Sequence, residues 1–149
     1  LLTRRKSTPA DDSSGYVLDE QVGFRLRLAM QRHTAIFMAR IPEGLTQTQF
    51  AALAKLHEVE PCSQNQLGRL ISLDAATIKG VVDRLHLRGF VTMVADPNDK
   101  RRRAIMLTAE GRRATEAAEQ VAAAISEETM KPLTPEEQRT VVRLLKKLS

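Results

Sequence analysis

The chain has no tryptophan, one cysteine, one tyrosine and four phenylalanines in 149 residues. A single thiol, Cys62, excludes an internal disulfide framework and a cysteine-based zinc site, and it suits a reducing cytoplasm. Aromatic side chains are too few to build the exposed stacking platforms on which single-stranded nucleic acids bind. Seven glycines and six prolines exclude collagen-like and mucin-like chains. No apolar run approaches the roughly 18 residues of a membrane-spanning helix, so no membrane partner is expected. Residues 1–15, LLTRRKSTPADDSSG, also lack an apolar segment and read as a flexible tail, not a secretory leader. The first residue is Leu rather than Met, as in a chain short of a few native residues. Nucleophile-elbow and phosphate-loop signatures are missing too, and the three histidines fall on separate elements without metal-binding spacing. An enzyme, a metal and a cofactor are therefore not expected, and the expected location is the cytoplasm.

What is present is a chain with 42% hydrophobic and 28% charged residues. A chain of this length buries roughly 68–70% of its unfolded surface, enough for one core. Residues 16–149 accordingly read as a single domain. The net charge of +5 is unevenly spread. Residues 16–62 carry five groups of each sign and residues 104–149 seven of each. Residues 63–103 carry eight basic groups against Asp74, Asp83, Asp96 and Asp99. A basic centre in a neutral frame is the electrostatic footprint of a polyanion-binding protein, although a solvated charged face would have the same composition.

Periodicity predicts a mainly helical fold with a small β hairpin. From Asp19 to Arg40, Val22, Leu26, Ala29, His33, Ile36, Phe37 and Arg40 share one helix face. Phe24, Leu28, Ala35 and Met38 form a second, so this helix needs two things to pack against, the second of them another subunit. Thr46 caps a second helix with a stripe of Phe50, Leu53, Ala54 and His57. Ser63 caps a short third helix over 66–71, and Asp74 caps a fourth that runs to Arg88 with Gly89 as its stop. Ile78, Val81, Val82 and Leu85 face inward on the fourth; Ala75, Ala76, Lys79, Gly80 and Asp83 face outward. Strands over 90–94 and 103–107 flank a break at Asp96-Pro97-Asn98-Asp99. Thr108 caps a fifth helix with an Ala114, Ala117, Ala118, Val121, Ala122, Ile125 stripe. Thr134-Pro135-Glu136-Glu137 opens a sixth, with Val141, Leu144, Leu145 and Leu148 inward.

Two short helices joined by a tight turn and followed by a basic hairpin form a winged helix-turn-helix pattern. Ala75, Ala76 and Gly80 are small enough to let the fourth helix approach a major-groove floor. Thr77, Lys79 and Arg84, with Ser63 and Gln64 at the start of the third helix, can bond base edges or phosphates. Lys100, Arg101, Arg102 and Arg103 sit near the hairpin tip, where a narrow arginine-bearing protrusion suits a minor groove.

At these residues the chain resembles the MarR (multiple antibiotic resistance regulator) family of transcriptional repressors, over about residues 18–148. The resemblance is carried by Leu45-Thr46-x-x-Gln49-Phe50, Leu73-Asp74-Ala75-Ala76-Thr77-Ile78 and Val82-Asp83-Arg84-Leu85. It continues through Gly89-Phe90-Val91, Asp96-Pro97-Asn98-Asp99-Lys100-Arg101 and Leu107-Thr108-x-x-Gly111. It implies an obligate homodimer with dimerisation helices in 16–41 and 108–149 and a DNA-binding lobe over 45–107. The implied partner is a double-stranded, pseudo-palindromic operator. It also implies that Asp83 and Arg84, with Asp99 and Arg101, brace wing against helix. Ala75, Ala76 and Gly80 depart from the family, which often has Arg, Ser and a larger polar residue there, so Thr77, Lys79 and the wing would carry more of the affinity.

His33 sits mid-way along an apolar face, with Arg40 two turns later. One reading is a core histidine bonded to a neighbour. The other is a ligand site, since the resemblance implies a pocket between the first, second and fifth helices that accepts small aromatic acids. His33, Ile36, Phe37, Arg40 and Phe50 would line it: carboxylate on Arg40, hydroxyl on His33, ring against the phenylalanines. Gln31-Arg32-His33 resembles the subgroup that controls aromatic or N-heteroaromatic catabolism, with hydroxynicotinate-type effectors. Two alternatives stay open. One is a redox-responsive regulator acting through Cys62, whose place just before a helix N-terminus could lower its pKa. The other is a winged-helix regulator without a small-molecule effector.

Overall fold

A computed structural model describes residues 15–149; the tail reading of 1–15 lies outside the described residues except for Gly15. A short 3-10 turn at Leu18–Glu20 precedes α1 (Val22–Arg40), and another at Pro42–Gly44 follows it. Then come α2 (Gln47–Val59), α3 (Gln64–Leu70), α4 (Ala75–Leu87), β1 (Val91–Ala95), β2 (Arg103–Leu107), α5 (Ala109–Met130) and α6 (Pro135–Leu148). All five expected capping side chains accept the N3 amide: Thr46 from Gln49, Ser63 from Gln66, Asp74 from Thr77, Thr108 from Gly111 and Thr134 from Glu137. Short polar side chains at these points satisfy amides that the helix itself leaves free, so each boundary is set locally. Gly89 takes the left-handed conformation (φ +75°) that ends α4.

The core lies in the middle of the chain. Leu53 and Leu56 of α2, Leu67 of α3, and Ile78, Val81, Val82 and Leu85 of α4 pack with Phe90, Val91, Ile105 and Leu107 of the hairpin. The strands are antiparallel, Val91 opposite Leu107 and Ala95 opposite Arg103. Gly111 closes the assembly: a Cβ there would stand 1.9 Å from the Phe90 carbonyl oxygen. Only a glycine lets the first turn of α5 lie directly on the start of the hairpin.

Four helices differ from the periodicity. In α2 the buried set is Gln49, Ala52, Leu53 and Leu56, while Phe50, Ala54 and His57 are half-buried. That helix packs against both α4 and α5, and one stripe does not describe two contacts. In α5, Thr115 is buried and Ala117 is exposed; the Thr115 hydroxyl donates to the Gly111 carbonyl at 2.7 Å, which removes the cost of burying it. In α6 nothing is buried; Leu144, Leu145 and Leu148 are exposed and Val141 is half-buried. The inward face of that helix points away from its own chain. In α1 only Phe37 is buried, and Val22, Leu26, Met30 and Met38 are exposed.

Candidate nucleic-acid interface and effector pocket

The helix-turn-helix is built from α3 and α4 at close quarters. A Cβ on Gly68 would meet Leu73 O and Ile78 Cγ2 at 3.1 Å. Ser72 turns the chain with φ +58°, and the Leu73 amide donates to the Gly68 carbonyl at 2.8 Å. This packing fixes α4 with its four inward aliphatics buried and Ala75, Ala76, Thr77, Lys79, Asp83 and Arg84 exposed. Gly80 is half-buried, and a Cβ there would lie 3.5 Å from Arg84 Nη1, an ordinary contact. No packing inside the chain requires glycine at this point, although glycine costs a helix interior about 1 kcal/mol. Ser63 spends its hydroxyl on capping α3 (3.2 Å to the Gln66 amide), and it and Gln64 are half-buried.

The wing carries Lys100, Arg101, Arg102 and Arg103, all exposed, around a recess of about 360 Å³ shared with Met93, Val94 and Ala95. Its tip is ordered by short-range bonds. The Asn98 amide donates to Asp96 Oδ1 (2.9 Å) and the Arg101 amide to Asp99 Oδ1 (3.0 Å). The Asp96 amide donates to Arg102 O and the Arg102 amide to Asp99 O, each 2.9 Å. The bracing read from the family resemblance is not what the geometry contains. Asp83 pairs with Lys79 one turn back on α4 (2.7 Å). Asp99 pairs within the tip, 3.4 Å from Arg101 Nε and 3.8 Å from Arg102 Nε. Both acids have a basic partner a few residues away, which outcompetes a partner on another element.

Of the five expected effector residues, the fold brings three together. His33, Phe37 and Phe50 line a cavity of about 210 Å³ with Gln47, Ala122, Ile125 and Ser126. The Phe37 and Phe50 ring centroids are 6.2 Å apart, tilted by 57°. Ile36 and Arg40 are outside its wall. Arg40 instead meets Glu128 at 2.5 Å, in a neighbouring groove lined by Arg32, Ala124, Glu127 and Lys131. Wheel position aligns Arg40 with His33, but two turns carry it past the cavity to the end of α5, where a carboxylate holds it. His33 Nδ1 lies 2.8 Å from Thr129 Oγ1, so the core-histidine reading and the cavity reading both describe it. Arg32, which lies on neither of the two apolar faces of α1, donates to the Thr129 carbonyl (2.6 Å) and the Glu128 carbonyl (3.0 Å). A cation at these last carbonyls of α5 complements the negative end of the helix dipole. Arg32, His33 and Arg40 together staple α1 to the end of α5. Gln47 and Ser126 also escape the sequence reading; nothing in their spacing marks them, because the cavity forms from three distant segments.

Cys62 is buried, and burial pushes its thiol pKa up, with the Glu60 carboxylate adding to the effect. Burial thus acts against the lowering that a place before a helix N-terminus could give, and disfavours the thiolate on which the redox-responsive alternative depends. Among the described residues no cluster of His, Cys, Asp and Glu could hold a metal ion, and no helix is long and apolar enough to cross a membrane.

The sequence pattern of the MarR family matches residues 45–102, the span from the second helix through the wing tip. The chain is 38% identical over 148 residues to the HTH-type transcriptional repressor NicR of Pseudomonas putida, covering 97% of this chain and 94% of that one. Its fold is similar to the crystal structure of a probable transcriptional regulator from Pseudomonas aeruginosa. That pair has a TM-score of 0.85 and 49% identity over 89% of this chain and 100% of the other. It is also similar to BpsR of Bordetella bronchiseptica, whose DNA binding is regulated by 6-hydroxynicotinic acid. There the TM-score is 0.83 and the identity 38%, over 89% of this chain and 96% of that one. With a helix-turn-helix, a basic wing and near full-length similarity to a repressor, the chain belongs to the MarR family of transcriptional regulators.

Proposed function

We propose that the protein is a cytoplasmic homodimeric repressor that binds a pseudo-palindromic operator and is released by a small hydroxylated aromatic or N-heteroaromatic acid. The observation that carries the DNA reading is the outward face of α4, where Ala75, Ala76 and Gly80 leave a low surface between Thr77 and Lys79. Residues 45–107 form the DNA-binding lobe; 16–41 and 108–149 supply the dimer, whose partner covers the exposed aliphatics of α1 and α6. Ala75 and Ala76 contact apolar base edges, Thr77 and Lys79 bases or phosphates, and Arg101–Arg103 with Lys100 the minor groove and its phosphates. Arg84, Ser63 and Gln64 contribute to phosphate positioning.

The effector occupies the cavity of His33, Phe37 and Phe50. The printed effector of BpsR is a hydroxylated pyridine carboxylic acid, and the wall here offers two phenyl rings, an imidazole, an amide and a hydroxyl. A ring held against Phe37 and Phe50 places its hydroxyl or ring nitrogen on His33. Its carboxylate reaches Arg40 only by exchanging with Glu128. That exchange opens one link of the staple between α1 and α5, so the ligand favours the arrangement in which this link is broken. A coupling of about 1–3 kcal/mol lowers operator affinity roughly 5–150-fold.

Titration of benzoate, cinnamate and nicotinate derivatives against the protein–operator complex tests this. 6-Hydroxynicotinate should release DNA, Arg40→Ala should lose response to carboxylates while keeping operator affinity within a few-fold, and His33→Ala should lose response chiefly to hydroxylated rings. An unmutated complex that no member dissociates would refute the effector.

A further inference from the structure

The linker between α2 and α3 serves as a third strand at the root of the wing. The Cys62 amide donates to the Ile105 carbonyl (3.3 Å), and the Ile105 amide donates back to the Cys62 carbonyl (2.8 Å). In this antiparallel register the next paired rung falls at residues 60 and 107. The Glu60 amide is already committed to α2, donating to the Leu56 carbonyl at 2.8 Å. Its carboxylate completes the rung instead, with Oε2 accepting the Leu107 amide at 2.7 Å. The other oxygen, Oε1, accepts from the Arg112 guanidinium, on the first turn of α5. The Glu60 side chain is only 11% exposed, and Arg112 is its one cationic partner among the described residues.

One carboxylate therefore joins three parts: the end of the helix leading into the helix-turn-helix, the base of the wing, and the helix that reaches the effector cavity at Ala122, Ile125 and Ser126. A largely buried carboxylate held by two charge-assisted bonds, one to a strand amide and one to a helix guanidinium, fixes the strand relative to that helix. We propose that Glu60 and Arg112 are the positioning pair of the wing, setting the angle at which Arg101 and Arg102 meet DNA. Neither residue touches DNA itself. The inference rests on the reading of the wing as a DNA contact.

The test uses an operator duplex selected in vitro on the full chain from random-sequence DNA, with affinity measured by fluorescence anisotropy over a range of salt. Glu60→Gln keeps an amide oxygen for Leu107 and removes the charge that Arg112 faces. It should weaken binding roughly tenfold, within the range that coupled residues span. The slope of log K against log salt should become shallower by about one unit, as for one lost phosphate contact. Added to Arg101→Ala with Arg102→Ala, it should cost nothing further, because the contacts it positions are gone. Arg112→Gln should repeat the result, and serves alone if circular dichroism shows Glu60→Gln unfolded. A penalty equal in both backgrounds, or unchanged affinity in both single variants, overturns the positioning role while leaving the wing as a contact. Unchanged binding on removing Arg101 and Arg102 overturns the wing reading, and this inference with it.

Discussion

The stretch from Leu45 to Leu107 and the two ends of the chain are built to different degrees of completion. The central stretch buries Leu53, Leu56, Leu67, Leu85 and Ile105 to 1% exposure or less, and turns its charges outward except for Glu60. The ends do the reverse. α6 buries nothing, with Leu148 at 69% exposed, and α1 leaves Met38 at 73%. A region closed by its own side chains has a stability of its own, whereas one that leaves aliphatics in water gains stability from a partner that covers them. On the proposed dimer, the folding of the central part would depend little on protein concentration and that of the ends strongly.

The sharpest way to test that contrast is to damage each part in turn. Leu56→Ala, in the closed part, should cost about 2–5 kcal/mol by chemical denaturation, as deletion of a fully buried leucine does. The loss should be the same at every protein concentration. Leu145→Glu with Leu148→Glu, in the open part, should leave the central far-UV signal largely intact but halve the mass seen by light scattering. A double variant that stayed dimeric would place the interface elsewhere. Gly80→Ala separates folding from function within the central stretch. Alanine favours the helix by roughly 0.5–1 kcal/mol, and its Cβ meets only Arg84 in the chain, so the melting temperature should rise. Operator affinity should fall at the same time if α4 approaches a groove floor there; a rise in both would remove Gly80 from the interface. The smallest effect is electrostatic. The amide and hydroxyl of Thr77 hold the Asp74 carboxyl below its ordinary range, and those of Thr134 do the same for Glu137. A depressed folded-state pKa means stability that is complete above the unfolded value and lost as pH falls through the folded one. Asp74→Asn and Glu137→Gln should therefore each lose a small increment of stability at pH 7 and flatten the fall below roughly pH 4, where the difference from the unmutated chain disappears.

The parts legible in the sequence were those decided within a few residues. Thr46, Ser63, Asp74, Thr108 and Thr134 each act on an amide three residues away, and Ile78, Val81, Val82 and Leu85 repeat a helical period. The outward face of α4 follows from the inward one. Features decided by tertiary partners were not legible. Gln49 and Thr115 are buried because α2 and α5 each pack on several neighbours and both side chains find hydrogen bonds. Arg40 shares a wheel face with His33, yet Glu128 from a helix 88 positions away claims it. Asp83 and Asp99 look like cross-element braces by family analogy, but Lys79 and Arg101 lie nearer. Glu60 carries no pattern at all; its role exists only where the linker, the strand and α5 converge.

The ordered wing tip bears on the entropy of recognition. A loop that folded only on contact with DNA would give up about 1–2 kcal/mol of backbone freedom per residue at the moment of binding. Here the turn from Asp96 to Arg102 is held by four short bonds before any DNA arrives. The acidic residues at 96 and 99 oppose a polyanion, but they spend their oxygens on the loop's own amides. On the proposed contact, the tip would meet the double helix with its shape already set, and the ordering cost would fall on folding of the protein instead of on each encounter with DNA.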